Sequence, residues 1–129
     1  MVIDTSALLA LLLNESDAET FRLALEEDET RLVSAATLLE AALVIEARKG
    51  ESGGRELDLL ISKAAIEVIA VDGDQINAAR RAWRRFARGR HAAGLNYGDL
   101  FSYALARTTG QPLLFKGEDF TRTDIARVI

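Results

Sequence analysis

The hydrophobic positions of this chain alternate between short apolar runs and longer segments in which apolar residues recur at helical spacing. The short runs predict strands at Met1–Ile3, Arg31–Ser34, Ile66–Val71 and Pro112–Phe115, with a short edge strand near Ala126–Ile129. Strands that alternate with helices in this way predict an α/β fold whose sheet is mainly parallel and has four to five strands.

Helices are predicted in the segments between these strands. They cover approximately residues 6–13, 16–27, 35–49, 53–64, 72–87 and 97–108. Ser16 and Glu19 have the spacing of a capping box, and Asp72 with Gln75 resembles a second one. Gly50 follows the third helix as a stop signal.

The composition is that of one globular domain, which we assign to residues 1–129. Hydrophobic residues make up 49% of the chain and charged residues 28%, enough to bury one core. There is no cysteine and the only histidine is His91, so disulfides, zinc–thiolate sites and thiol nucleophiles are excluded. Any chemistry must therefore rely on carboxylates, hydroxyls or lysine.

The N-terminal segment does not resemble a secretion signal or a membrane anchor. No lysine or arginine precedes Arg22, whereas a signal peptide begins with positive charge. The apolar run Ala7–Leu13 is much shorter than the roughly 20 residues that span a bilayer. We therefore expect a soluble, cytoplasmic protein that does not engage a membrane.

Acidic residues follow several of the predicted strands. Asp4 comes directly after the first strand, Glu40 lies in the helix after the second, and Asp119 follows the fourth. Ligands of parallel sheets bind outside the carboxyl ends of the strands, so these acids are expected at the edge where a site forms. Asp99, in the first turn of the last helix, is a further candidate.

Each of these acids also has a purely structural interpretation. Asp4 can cap the first helix, Asp72 reads mainly as a cap, and Asp99 is favoured in a first turn by the helix dipole. Glu40 has only apolar neighbours at spacings of three, four and seven, which places it on the predicted core face. There a carboxylate must be salt-bridged or bound to a metal.

Taken together, the acids predict a metal site. Clustered carboxylates repel one another unless a cation neutralises them. Hard oxygen ligands in a chain without cysteine suit Mg²⁺ or Mn²⁺ better than zinc. Carboxylate sites that hold such ions are the usual apparatus for cleaving phosphodiester bonds.

One segment reverses the charge of this acidic chain, whose net charge is −4. The stretch "ARRAWRRFARGRH" contains six arginines: Arg80, Arg81, Arg84, Arg85, Arg88 and Arg90. Between them lies an apolar stripe that includes Trp83. The arginines are either a solvated, salt-bridged face or a contact for a phosphate backbone. The candidates for RNA binding are Arg84, Arg85, Arg88 and Arg90.

Four segments resemble PIN-domain nucleases, and VapC-type toxins in particular: "VIDTSALLALL", "AATLLEAALVIEAR", "LNYGDLFSYALA" and "GQPLLFKGEDFTRTDI". They span essentially the whole chain in the order of that family. The resemblance implies a PIN-like three-layer α/β/α fold and a Mg²⁺-dependent endoribonuclease (Mn²⁺ being possible) that hydrolyses RNA through a metal-activated water. It also implies a type II toxin–antitoxin system, with a VapB-type antitoxin as partner and a homodimeric toxin.

The same resemblance assigns the acidic core to Asp4, Glu40 and Asp99, with Asp4 and Asp99 as the best metal ligands. It implies three supporting residues: Thr5 and Ser6 beside Asp4, and Asn96 ahead of Asp99.

The fourth acid is Asp119 by the same resemblance, with Asp124 as a rival. Many members carry an aspartate two positions before the one matching Asp119, and this chain has Gly117 there. A weaker or shifted second metal site is the consequence of that departure.

Two other functions are compatible with an acid at the end of the first strand. A phosphatase of the haloacid dehalogenase type needs a second aspartate two residues after the first, where this chain has Ser6. A non-catalytic binding module would use the acids structurally. For an antitoxin, we expect a groove at the apolar faces around Leu38–Ile45 and Leu57–Ile61.

Overall fold

The computed structural model describes residues 1–87, 89, 91 and 93–129. Arg88 and Arg90, two of the four arginines expected to contact RNA, lie outside the described residues.

Four short strands form one parallel sheet, which confirms the predicted fold class. They are β1 (Val2–Ile3), β2 (Leu32–Ser34), β3 (Glu67–Ile69) and β4 (Leu113–Leu114). Their order across the sheet is β3-β2-β1-β4, and every pair is parallel. Each strand lies within the corresponding predicted run and is shorter than it.

Six helices connect the strands in the described part of the chain. Their bounds are α1 (Thr5–Leu12), α2 (Ala18–Glu27), α3 (Ala35–Lys49), α4 (Glu51–Lys63), α5 (Gly73–Phe86) and α6 (Tyr97–Thr109). Gly50 ends α3 as predicted, and its positive φ of 67° explains why a glycine stands there. Asp72 caps α5 by accepting the backbone N–H of Gln75.

The sheet separates two cores, which gives the three-layer arrangement. Because side chains alternate along a strand, Ile3 and Leu114 point into the core formed with α1 to α4. Val2 and Leu113 point into the opposite core, which includes residues of α5 and α6. All four side chains are fully buried.

The helices that lead from β1 to β3 pack on one face of the sheet, and α5 and α6, which lead from β3 to β4, pack on the other. The chain moves outward from β1 to β2 and β3, and α5 and α6 then carry it back across the sheet to β4, beside β1. Such a reversal of strand order opens a crevice at the carboxyl ends of the two strands on either side of it, β1 and β4. Asp4 stands directly at this point, and its backbone N–H donates to the Leu114 carbonyl at 3.0 Å.

Two local predictions were wrong. The capping box of Ser16 and Glu19 does not form, because α2 begins at Ala18 and Glu19 pairs with Arg22 instead. The final segment makes one isolated bridge, between Arg127 and Leu113, rather than a fifth strand.

The helix α1 begins one residue before the approximate start that was predicted, and the cap expected at Asp4 is confirmed. Ser6 lies inside the helix, and Asp4 is its N-cap. Separately, none of the described helices combines the length and the apolar character needed to cross a membrane.

Candidate active site

Asp4 has a double role at the end of β1. Its Oδ2 accepts the backbone N–H of Ser6 at 3.1 Å, which caps α1, and also the Ser6 hydroxyl at 2.7 Å. Its Oδ1 accepts the Ser102 hydroxyl, which reaches it from α6 at 2.6 Å. The residue is only 5% exposed. The capping interpretation is therefore right, and it does not exclude the other, since the cap is buried at the switch point of the sheet.

Asp99 also combines the two interpretations. Asn96 caps α6 with its side chain, and the Asp99 carboxylate accepts the Asn96 N–H at 3.0 Å in return, which completes a capping box. Asp99 is 8% exposed, so this cap is buried as well. The box fixes the Asp99 side chain at the first turn of the helix that also supplies Ser102.

Glu40 reaches the same cluster by a different route from the one predicted. The buried face of α3 consists of Thr37, Ala41 and Ile45, whereas Glu40 lies on the exposed side, so its assignment to the core face was wrong. Its Oε1 accepts a short hydrogen bond from the Thr5 hydroxyl. A Cβ at Gly98 would meet the Glu40 carboxylate, so the glycine leaves room for this carboxylate beside the first turn of α6.

The two rivals for the fourth acid lie in different surroundings. Asp119 is exposed, and its charge acts on Asp99. Asp124 accepts the Tyr103 hydroxyl at 2.6 Å, and its other oxygen is within 3.4 Å of Arg85 and 3.7 Å of Arg107. Asp124 thus belongs to a separate ion-pair cluster.

Burial and mutual repulsion raise the pKa values of the two buried carboxyls. Burial is the main cause for Asp99, and with the charges of Asp4, Asp119 and Glu40 it raises the pKa of Asp99 to about 7. Burial also raises the pKa of Asp4, with a smaller contribution from Glu40. The hydroxyls of Ser102 and Ser6 act in the opposite direction and favour the charged form of Asp4.

These side chains fit a hard divalent cation. Among the described residues, no ion pair involves any of the four acids: Asp4, Glu40, Asp99 and Asp119. Within the same part of the chain, no three acidic or histidine side chains stand close enough to enclose a metal by themselves. A divalent cation held here would take only one or two carboxylates from the chain and complete its coordination with waters.

The predicted arginine face is divided. Arg85 is engaged with Asp124 and lies 4.8 Å from the centre of the Phe86 ring. Arg84 borders an apolar hollow of about 330 Å³ together with Trp83 and Tyr97. Trp83 itself is half exposed rather than part of the buried stripe.

Sequence reasoning missed two fully buried hydroxyls: Ser102, which contacts Asp4, and Thr37, which contacts Ser102. The Ser102 and Thr37 hydroxyls are 3.2 Å apart. Ser102 follows Asp99 by three positions, so the two share a helix face, and this spacing was the available signal. For Thr37 there was no comparable signal, because it meets Ser102 only through tertiary packing.

The apolar groove expected around Leu38–Ile45 and Leu57–Ile61 is in fact two separate surfaces. We call the first the α3–α6 surface; it is lined by Ala36, Leu39, Leu43, Val44, Tyr97 and Phe101, beside Glu40. We call the second the α4 groove; it has about 540 Å³ and is lined by Leu11, Leu12, Leu25, Leu59, Leu60 and Ala64, with charged residues at its rim.

Comparison with known proteins gives concordant matches. The PIN domain family model matches residues 1–126. Ribonuclease VapC30 of Mycobacterium tuberculosis (strain ATCC 25618 / H37Rv) is 64% identical over 128 residues, covering 99% of this chain and 98% of that protein.

Solved structures agree in fold. The crystal structure of Mycobacterium tuberculosis VapC20, described as a toxin that cleaves the sarcin–ricin loop, matches with a TM-score of 0.78 at 19% identity, covering 97% of this chain and 95% of that one. A toxin–antitoxin complex from Klebsiella pneumoniae matches with a TM-score of 0.70 at 18% identity, covering 95% and 92%.

Proposed function

Because the chain belongs to the PIN-domain family, and within it to the VapC ribonucleases, we propose that it is a metal-dependent endoribonuclease and the toxin of a toxin–antitoxin pair. Its substrate is RNA, its cofactor is Mg²⁺ with Mn²⁺ as a substitute, and its compartment is the cytoplasm. Asp4 and Asp99 are the metal ligands, and Glu40 and Asp119 complete the catalytic acids.

The observation that carries this proposal is the pair of buried carboxyls at the β1–β4 switch point. Asp4 and Asp99 both have raised pKa values and no ion-pair partner among the described residues. Buried like charges are unfavourable unless a cation joins them, and here the cation comes from outside the chain. When bound, Mg²⁺ supplies charge neutralisation and Lewis acidity for phosphodiester hydrolysis.

The chain's own residues orient the reacting groups. Ser6 holds the Asp4 carboxylate through its hydroxyl and backbone N–H, and Asn96 holds Asp99 through its backbone N–H. Thr5 holds one oxygen of Glu40. Because Glu40 is exposed, its other oxygen can orient the attacking water and accept its proton.

Arginines beyond this cluster serve RNA binding in this proposal. Arg84 and Arg85 are exposed on α5, and Arg88 and Arg90 follow in sequence. Their positive charge attracts the phosphate backbone to a chain that is acidic overall.

The direct test is cleavage of total RNA by the purified chain with Mg²⁺ and with EDTA. Asp4→Asn should lower Mg²⁺-dependent cleavage by at least about 100-fold, since even residues that only support metal ligands cost 10–100-fold when removed. Circular dichroism should stay unchanged. Asp72→Asn is the matched control, because Asp72 caps α5 as Asp4 caps α1 but lies outside the cluster. Cleavage that survives in Asp4→Asn or in EDTA would contradict the proposal.

The antitoxin, we propose, places an apolar segment in the α4 groove. Leu59 is 55% exposed there, with Leu11 and Leu60 beside it and Arg22 and Lys63 at the rim. Glu26 and Glu56 also line the groove, so its charges are of both signs, and the apolar face of an amphipathic helix would fit this combination. Leu59→Glu should weaken binding of the cognate VapB-type antitoxin in titration calorimetry; unchanged affinity would refute the placement.

For the homodimer, we propose the α3–α6 surface. Leu39 and Leu43 are about 60% exposed and Tyr97 is 79% exposed, which is unusual for side chains of this size in a chain that stays alone. Light scattering of the purified chain should give the mass of a dimer, and Leu39→Glu should give a monomer. Each variant is the control for the other: Leu39→Glu should leave antitoxin binding unchanged, and Leu59→Glu should leave the dimer unchanged. A monomeric wild-type chain would refute the homodimer.

A further inference from the structure

We propose that Ser102 is a positioning residue that aims one oxygen of Asp4, Oδ1, at the divalent cation. The proposal rests on the metal-dependent function proposed above. Ser102 lies in α6, is fully buried, and is 98 residues away from Asp4 in the sequence.

The hydrogen bonds around Asp4 account for nearly all of its acceptor capacity. A carboxylate oxygen has two lone pairs. Oδ2 accepts two hydrogen bonds, from the N–H and the hydroxyl of Ser6. Oδ1 accepts one, from Ser102. Oδ1 therefore keeps one lone pair, and it is the oxygen of Asp4 left to bind a cation.

Ser102 also fixes the rotation of the carboxylate. Ser6 alone holds one oxygen, about which the other could swing. The Ser102 hydroxyl reaches Oδ1 from α6 at 2.6 Å, so the two oxygens are held by two different helices. This restraint sets the direction in which the remaining lone pair of Oδ1 points.

Each of these two hydroxyls is itself held by a further group. Ser102 has a single hydroxyl hydrogen and donates it to Asp4, so in the 3.2 Å contact between Thr37 and Ser102 the Thr37 hydroxyl donates. On the other side the Lys116 N–H donates to the Ser6 hydroxyl oxygen at 2.9 Å. The carboxylate is thereby tied to α3, to α6 and to the segment that follows β4, and the groups that donate in these contacts are hydroxyls and a backbone N–H.

The competing explanation is that Ser102 contributes only to the packing of the protein interior. The two explanations differ in what the hydroxyl controls. A packing role would affect stability, whereas a positioning role affects cation affinity even where the fold remains stable. Removing a group that supports a metal ligand typically costs about 10–100-fold in affinity or activity.

The experiment measures Mn²⁺ binding to the purified chain by titration calorimetry, together with thermal melting and kcat/KM for RNA cleavage in Mg²⁺. Ser102→Ala should weaken Mn²⁺ binding about 10-fold and lower kcat/KM to a similar extent. Tyr103→Phe is the matched control, because it removes the hydroxyl of the next residue of α6, which donates to Asp124 and not to Asp4. It should lower the melting temperature at least as much but change Mn²⁺ affinity by less than about threefold.

Ser102→Cys covers the case in which Ser102→Ala does not fold. It keeps the volume of the side chain and replaces the hydroxyl by a weak donor, so it should also bind Mn²⁺ more weakly than the wild type. Wild-type Mn²⁺ affinity in the folded Ser102 variant, or an equal loss in Tyr103→Phe, would overturn the positioning role. A wild-type chain that binds no Mn²⁺ would instead refute the metal-dependent function itself, so the two failures are distinguishable.

Discussion

Acidic side chains lie at both ends of β1, in opposite electrostatic surroundings. Before the strand, Asp28 accepts a 2.7 Å hydrogen bond from the N-terminal ammonium of Met1, and this bond lowers its pKa. After the strand, Asp4 and Asp99 have no ion-pair partner among the described residues, and burial raises the pKa of both. The two ends are separated by a strand of only two residues, Val2 and Ile3.

The difference separates acids whose charge is compensated by a cation of the chain from acids whose charge is not. Asp28 and Asp124 each have a cation supplied by the chain, so their charge is already compensated. Asp4 and Asp99 have only dipoles, from hydroxyls and backbone N–H groups. Dipoles orient a carboxylate but leave its net charge in place, which favours an external cation.

The largest effect should come from neutralising Asp99 in the metal-free chain. Its pKa of about 7 lies above the ordinary value of 3.8, so the folded state binds a proton more tightly than the unfolded state. The associated stability is complete below pH 3.8 and is lost as the pH rises through 7. Asp99→Asn should therefore raise the free energy of unfolding at pH 8.5 by up to about 4 kcal/mol, and by little at pH 4.

Urea denaturation in EDTA at the two pH values checks this prediction. With saturating Mn²⁺ at pH 8.5 the order should reverse, because the wild type gains binding energy that the variant has lost. If Asp99→Asn is less stable than the wild type at both pH values, the charge of Asp99 does not destabilise the fold, and Asp99 does not differ from Asp28 in this respect.

A second, smaller effect concerns Asp124. Asp124→Asn keeps an acceptor for the Tyr103 hydroxyl but removes the charge that pairs with Arg85 and Arg107. The free energy of unfolding should fall by about 1 kcal/mol. The pKa of Tyr103, which burial and then Asp124 raise to about 12, should fall in an ultraviolet titration.

Mn²⁺ affinity separates this cluster from the candidate site. It should be unchanged in Asp124→Asn and strongly reduced in Asp119→Asn if Asp119 is the fourth acid. A tenfold loss of Mn²⁺ affinity in Asp124→Asn would instead indicate that Asp124 is the fourth acid of the metal site.

The smallest effect is expected at Asp28. Its carboxylate is about a third exposed, and such pairs contribute roughly 0.2–1 kcal/mol. Because its folded pKa is lowered, this stability is present above pH 3.8 and is lost as the pH falls through the folded value. Asp28→Asn should thus destabilise the chain slightly at pH 7 and by progressively less as the pH falls below 3.8, the opposite sign from Asp99→Asn. Equal stability of Asp28→Asn and the wild type at pH 7 would show that the ion pair between Asp28 and the N-terminal ammonium does not contribute to stability.

Local pattern was a good guide wherever the physics is local. The strand runs, the Asp72 cap, the Asn96–Asp99 first turn and the stop at Gly50 are all set by neighbouring residues, and all were predicted. The Ser16–Glu19 box failed because a four-residue motif matched while the chain started its helix two residues later. The prediction that Glu40 lies on the core face of α3 was wrong because the apolar neighbours from which it was inferred form an exposed surface rather than the core.

The sequence by itself determined that four parallel strands alternate with helices and that acids follow them, since hydrophobic period and residue type are properties of the chain. Only the tertiary structure decided which acids share one environment. Asp119 and Asp124 are five residues apart, but one acts on Asp99 and the other pairs with arginines. Ser102 meets Asp4 across 98 residues. Such pairings depend on the order in which the strands pack, because electrostatic surroundings are set by distance in space and not by spacing along the chain.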